Sequence, residues 1–176
     1  GGLCIGVHRS LAPGCSAFPI PESQDIQGIK LDKRFFGLRK NLIILNIYNS
    51  PENSSYKLKA KTKNQELQPT LENLTNVINK IPQNMDLLIT GDFNSRIGVL
   101  PDGMPNDKYN HPNPNGGQSL PARSSKDKTH NSNSKAFLDL VIAEDLRLLN
   151  GRTLGDLKEN LLALSTTATL SSIIWL

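Results

Sequence analysis

Residues 87–98 read LLITGDFNSRIG. An apolar run closed by a glycine turn is the pattern of a sheet-core strand that delivers polar groups at its C-terminal edge. The strand is expected over residues 86–90, followed directly by Gly91-Asp92-Phe93-Asn94. Asp92 and Asn94 stand two residues apart, so an extended backbone would turn both to one side. The carboxylate can hold a metal or take a proton. The amide can donate to a phosphate oxygen or orient a water. Together they suit hydrolysis of a phosphate ester.

Working outward, residues 41–48 (NLIILNIY) form a second near-continuous apolar run, expected as a central strand ending at the turn signal Asn49-Ser50-Pro51. Tyr48 closes that strand, where its hydroxyl could reach a phosphate or its ring could pack. Residues 26–31 (IQGIKL) alternate as a half-buried strand does, and residues 3–7 (LCIGV) read as another. Pro13-Gly14 marks a turn, and residues 34–40 a charged connection.

Between the two core strands, Leu67, Leu71, Leu74, Ile78 and Ile81 fall on one helix face, with Pro69 in the first turn and Pro82 as the stop. Packing alone accounts for that stripe. A long polar loop is expected over residues 99–131. A second helix follows over residues 134–145, with Phe137, Leu138, Val141 and Ile142 inward and Ser132 or Asn133 as its cap. A short strand over residues 146–149 closes at Asn150-Gly151. The order of strands and helices predicts an α/β layered domain.

The chain has 176 residues, 37% hydrophobic and 5% aromatic, which is lean but too apolar for full disorder. Its net charge of +4 and pI of about 9.1 are compatible with a nucleic-acid partner and equally with an ordinary basic surface. Arg123, Lys126, Lys128 and Asn131 in the polar loop could contact a nucleic-acid backbone or simply be solvated. Cys4 and Cys15 have no ligand or redox spacing, which favours a reducing, intracellular setting. His8, His111 and His130 have neither metal-ligand nor triad spacing, and the residues suggest no metal cluster. The sequons at Asn53 and Asn73 are expected by chance in so Asn-rich a chain. No segment is long and apolar enough for a membrane span. The start at Gly1, without methionine, suggests a piece of something longer.

LLITGDFNSRIG resembles the central motif of the endonuclease/exonuclease/phosphatase superfamily, and ILNIYNSPENSSY resembles the strand before it. More narrowly, LDKRFFGL, SPENSSY and RSSKDKTHNSNSKAFLDLVIAEDLRLLNGRTLGD resemble endonuclease domains of non-LTR retrotransposons, encoded beside a reverse transcriptase. The resemblance spans residues 1–158. It implies a fragment of a four-layer α/β/β/α sandwich of the DNase I-like type. It implies Mg²⁺-dependent (or Mn²⁺-dependent) nicking of DNA in the nucleus, with Asp92, Asn94 and Tyr48 at the phosphate. A metal-binding glutamate upstream and a C-terminal Ser-Asp-His motif are family features that this chain lacks. The expectation is therefore a truncated, weakly active or inactive enzyme, poorly folded in isolation. The alternatives are a non-catalytic remnant that binds nucleic acid, or a phosphatase of the same superfamily. Residues 159–176 form an atypical tail, uncharged from Asn160 onward and expected to be out of frame.

Overall fold

Residues 26–31 and 41–48 pair through Ile26–Ile47, Ile29–Ile44 and Leu31–Leu42, cross-strand pairs of branched side chains that suit a pleated surface. The computed structural model describes residues 2–21, 23–51, 54, 70–98, 100–101, 125, 127–151 and 172–174. The chain divides into two units, Gly1–Asn94 and Ser95–Leu176.

The first unit contains a 3-10 turn (Ala12–Gly14), strands β1 (Cys15–Phe18) and β2 (Ile26–Leu31), helix α1 (Lys33–Phe36), strand β3 (Asn41–Tyr48), helix α2 (Thr70–Ile78) and strand β4 (Met85–Asp92). The strands form a four-stranded mixed sheet in the order β1-β2-β3-β4. Both β1–β2 and β2–β3 are antiparallel, and β3–β4 is parallel. A parallel pair needs a crossover connection, and α2 lies within it. The unit is therefore mixed α/β, as the element order predicted.

Register decides what the sheet buries. Ile43 pairs with Leu87 and Leu45 with Ile89, and all four are buried, each contributing about 1.5–3 kcal/mol. The intervening residues Leu42, Ile44, Asn46, Asp86, Leu88 and Thr90 are half-buried on the other face. A sequence that reads as continuously apolar thus builds one dry face and one partly covered face.

Three local readings change. Residues 3–7 form no strand, although Asn46 Nδ2 donates to the Cys4 carbonyl at 3.3 Å. The charged connection contains α1. Asp32 caps it, accepting from Arg34 N at 2.8 Å and Phe35 N at 3.1 Å, and these bonds hold its carboxyl below the usual carboxylate range. Left-handed Gly37 closes it. In α2 the inward face is Thr70, Asn73, Leu74 and Val77, rotated from the predicted leucine stripe, whose Leu67 lies outside the described residues along with Pro69. Asn73 Oδ1 is buried there with no partner among the described residues, an arrangement that costs about 1–3 kcal/mol.

The second unit contains helix α3 (Asn133–Ala143) and the parallel two-stranded pair β5 (Arg147–Leu148) and β6 (Ser172–Ile174). β6 lies inside the atypical tail of residues 159–176. Ser134, Phe137, Leu138, Leu140 and Val141 are buried, whereas Ile142, expected inward, is exposed. The helix start also differs from expectation. Ser132 makes no side-chain cap bond. Instead Ser134 Oγ accepts from Asn131 N at 2.8 Å and turns its hydrogen toward the Arg96 carbonyl and Asn131 Oδ1. Ser134→Ala is expected to lower stability by about 0.5–1.5 kcal/mol, read as a fall in the urea midpoint, because it removes the hydrogen bonds of a buried hydroxyl at the helix start.

Candidate functional site

Parallel pairing brings the ends of β3 and β4 to one edge, with Tyr48 in register with Asp92. Directly paired residues on adjacent strands project from the same face, about 5 Å apart. Both belong to the half-covered face, one step beyond the Asn46–Thr90 pair. Tyr48 is 40% exposed and Asp92 is exposed. A phenol donor and a carboxylate acceptor thus stand side by side in water at the C-terminal edge of the sheet.

Beyond β4 the chain does not continue extended. Phe93 turns into the core at 2% exposure, and Asn94 adopts a left-handed conformation (φ 47°). Asparagine tolerates that region better than most residues. Asn94 N donates to Asp92 Oδ1 at 2.9 Å, a local turn that fixes the carboxylate. Asn94 Nδ2 donates to the Asn49 carbonyl at 2.9 Å. The expectation that Asp92 and Asn94 project together from an extended strand therefore fails. Phe93 keeps to the buried face of Leu87 and Ile89, and the left-handed backbone of Asn94 makes the turn that draws its amide back onto β3's exit.

Asn49 organises this edge, and sequence reading took it only as part of a turn signal. It is buried, at 4% exposure. Its N–H donates to the Asp92 carbonyl at 2.8 Å, extending the parallel ladder one step past the strands. Its Nδ2 donates to the Phe93 carbonyl at 2.9 Å. Asn49 and Asn94 thereby bind each other's segments reciprocally. The signal available in the sequence was an asparagine directly after a core strand whose neighbour ends in another Asx-rich turn.

Gly91 makes the approach possible. It pairs with Ile47 at φ 134°, and a Cβ there would fall inside contact of the Ile47 carbonyl oxygen and 2.6 Å from its nitrogen. At the other end of β4, burial pushes the Asp86 carboxyl above its usual range, and Lys40 at 3.7 Å only partly offsets that.

Of the four basic-loop residues, two are described. Arg123 and Lys126 lie outside the described residues, as does His111, while Lys128 and His130 are exposed. Asn131 Oδ1 accepts from Arg96 N at 3.2 Å, so its carbonyl supports the start of α3. Asp127 is held below the usual carboxylate range by the hydroxyl and N–H of Thr129, with Arg96 at 3.8 Å adding to the effect. Among the described residues no group of three His, Cys, Asp or Glu could enclose a metal. Among them, too, no helix is long and apolar enough to cross a membrane. No family model, no curated protein and no solved structure matches the chain.

Proposed function

We propose that the edge formed by Tyr48, Asp92 and Asn94 is part of a phosphodiester-hydrolysing site, in an endonuclease domain of the type found in non-LTR retrotransposons. The observation that carries this reading is the Tyr48–Asp92 register at the C-terminal edge of a parallel strand pair, the position where α/β sheets gather ligand-binding groups. Supporting the larger sandwich, the second sheet face carries half-buried Leu42, Ile44 and Leu88, apolar groups suited to a further layer. The longer protein would include a reverse transcriptase and act on DNA in the nucleus.

In this reading the Asp92 carboxylate orients the attacking water and takes its proton. The Tyr48 hydroxyl donates to a phosphate oxygen as negative charge develops. Asn94 positions Asp92 through its backbone N–H, and Asn49 secures both. Mg²⁺ is commonly bound by one or two protein carboxylates, with water and substrate completing its shell, so Asp92 is the residue of this edge that would hold it. When bound, that ion would neutralise phosphate charge and assist departure of the leaving oxygen.

The test is nicking of supercoiled plasmid with Mg²⁺. The parent is expected to nick slowly, and Asp92→Ala to lose about 10²- to 10⁴-fold in rate. Equal nicking by parent and variant would refute the assignment. Salt-sensitive DNA binding with no nicking by either would establish the non-catalytic alternative.

A further inference from the structure

Residues 30–40 read KLDKRFFGLRK, in which Lys30, Lys33, Arg34, Arg39 and Lys40 oppose a single carboxylate, Asp32. This local excess equals the +4 net charge of the whole chain. The carboxylate of Asp32 is already engaged with the first N–H groups of α1, and Lys40 faces Asp86. Lys33, Arg34 and Arg39 are exposed and form no ion pair among the described residues.

In the middle of these cations stands an aromatic ring. Phe35 is 47% exposed, and Leu38 and Leu11 are exposed as well. The Phe35 ring is seated, not swinging free. It meets Phe36 edge-on at 4.9 Å and 66°. It also lies over Gly14, where a Cβ would fall inside contact of the Phe35 ring and 2.7 Å from Phe36 Cε2. Asp32 N donates to the Gly14 carbonyl at 2.9 Å, and Lys33 N to Asn41 Oδ1 at 2.9 Å, so the 3-10 turn, α1 and the start of β3 are tied into one support.

A supported, half-exposed ring with cations on both sides in sequence is the chemistry of a stacking platform within an electrostatic groove. We infer that this α1 surface binds single-stranded nucleic acid, with a base stacked on Phe35 and phosphates on Lys33, Arg34 and Arg39. An anionic membrane would meet the same charges. However, α1 is a single turn, and the exposed apolar groups on and beside it are Phe35, Leu38 and Leu11, far short of the long apolar helix face that anchors at an interface. The surface uses none of the residues assigned to hydrolysis, and binding measured in EDTA reads it separately from nicking.

The experiment is fluorescence anisotropy of a fluorescein-labelled oligo-dT in EDTA, over a salt series. Phe35→Leu keeps an apolar side chain but removes the π-face, and is expected to weaken binding about 5- to 100-fold. The double variant Arg34→Gln/Arg39→Gln is expected to reduce the log–log salt slope by about 1.4. Parent-like urea midpoints certify the fold of each variant, and the double variant alone decides if Phe35→Leu does not fold. An unchanged slope in the double variant, or an unchanged affinity in folded Phe35→Leu, overturns the inference. So does a parent chain that sediments with phosphatidylserine vesicles and ignores the oligonucleotide.

Discussion

Gly91→Ala is expected to eliminate the folded state of the Gly1–Asn94 unit. Two costs combine at this position. The backbone sits at φ 134°, outside the region that L residues favour, and strain of this kind costs about 1–3 kcal/mol. The larger cost is steric. The new methyl would be driven into the backbone of Ile47, which the flanking pairs Asn46–Thr90 and Tyr48–Asp92 hold in register. A backbone cannot swing aside as a side-chain tip can, so either the β3–β4 ladder breaks or the strand ends separate. The loss should exceed about 4 kcal/mol, most of the stability of a small domain. Gly37→Ala provides the control. Gly37 also has positive φ, at 66°, but a Cβ there meets nothing within 4 Å, so only the left-handed backbone cost of about 1–2 kcal/mol is expected. Urea unfolding of both variants separates strain from collision. Equal midpoints would show that the close approach of Ile47 and Gly91 does not matter.

Asn49→Asp should have the next largest effect, and its size should depend on pH. The substitution barely alters shape. It replaces an N–H₂ donor, 2.9 Å from the Phe93 carbonyl, with an acceptor facing an acceptor, and buries a charge at a site only 4% exposed. At neutral pH the loss is expected to be about 3–5 kcal/mol. Desolvation and the facing carbonyl both raise the folded-state pKa of the new carboxyl above its unfolded value. The sign follows. Below the unfolded pKa the protonated acid donates to Phe93 much as the amide did, and the deficit nearly vanishes. As pH rises through the folded pKa the proton must leave a site that favours it, and the deficit grows to its full value. Stability relative to the parent, measured by urea at pH 4 and pH 7, reads this directly. Asn49→Ala should show a smaller deficit, about 1–3 kcal/mol, without the pH dependence. Its nicking rate should fall further than its stability alone explains, since the Asp92 turn loses its support.

Much of the first unit was legible in the sequence. Residues 26–31 and 41–48 form strands over the expected spans because alternation and branched side chains point to a pleated, half-buried surface regardless of neighbours. That Tyr48 and Asp92 stand at or just past the ends of core strands was likewise legible from the apolar runs before them. The misreadings share one cause. The inward face of α2, the exposure of Ile142 and the helix hidden in residues 33–36 depend on which side of an element meets the sheet or solvent, and periodicity gives only the shape of a face. Residues 3–7 have the composition of a strand but form no ladder, because a strand exists only where another strand's N–H and C=O groups are free to receive it.

What the sequence determined by itself is therefore the kind of elements and the position of the polar turn after β4. Local preference and side-chain period act within a few residues, so they can be read from a few residues. The tertiary structure decided the register that sets Tyr48 beside Asp92, the buried Asn49 that braces them, and the turn at Phe93 that withdraws Asn94 from the extended line. The register, the Asn49–Phe93 bond and the Asn94–Asn49 bond join residues more than forty positions apart, and a hydrogen bond across such a separation is specified by the parallel pairing of two strands, not by the residues on either side of it.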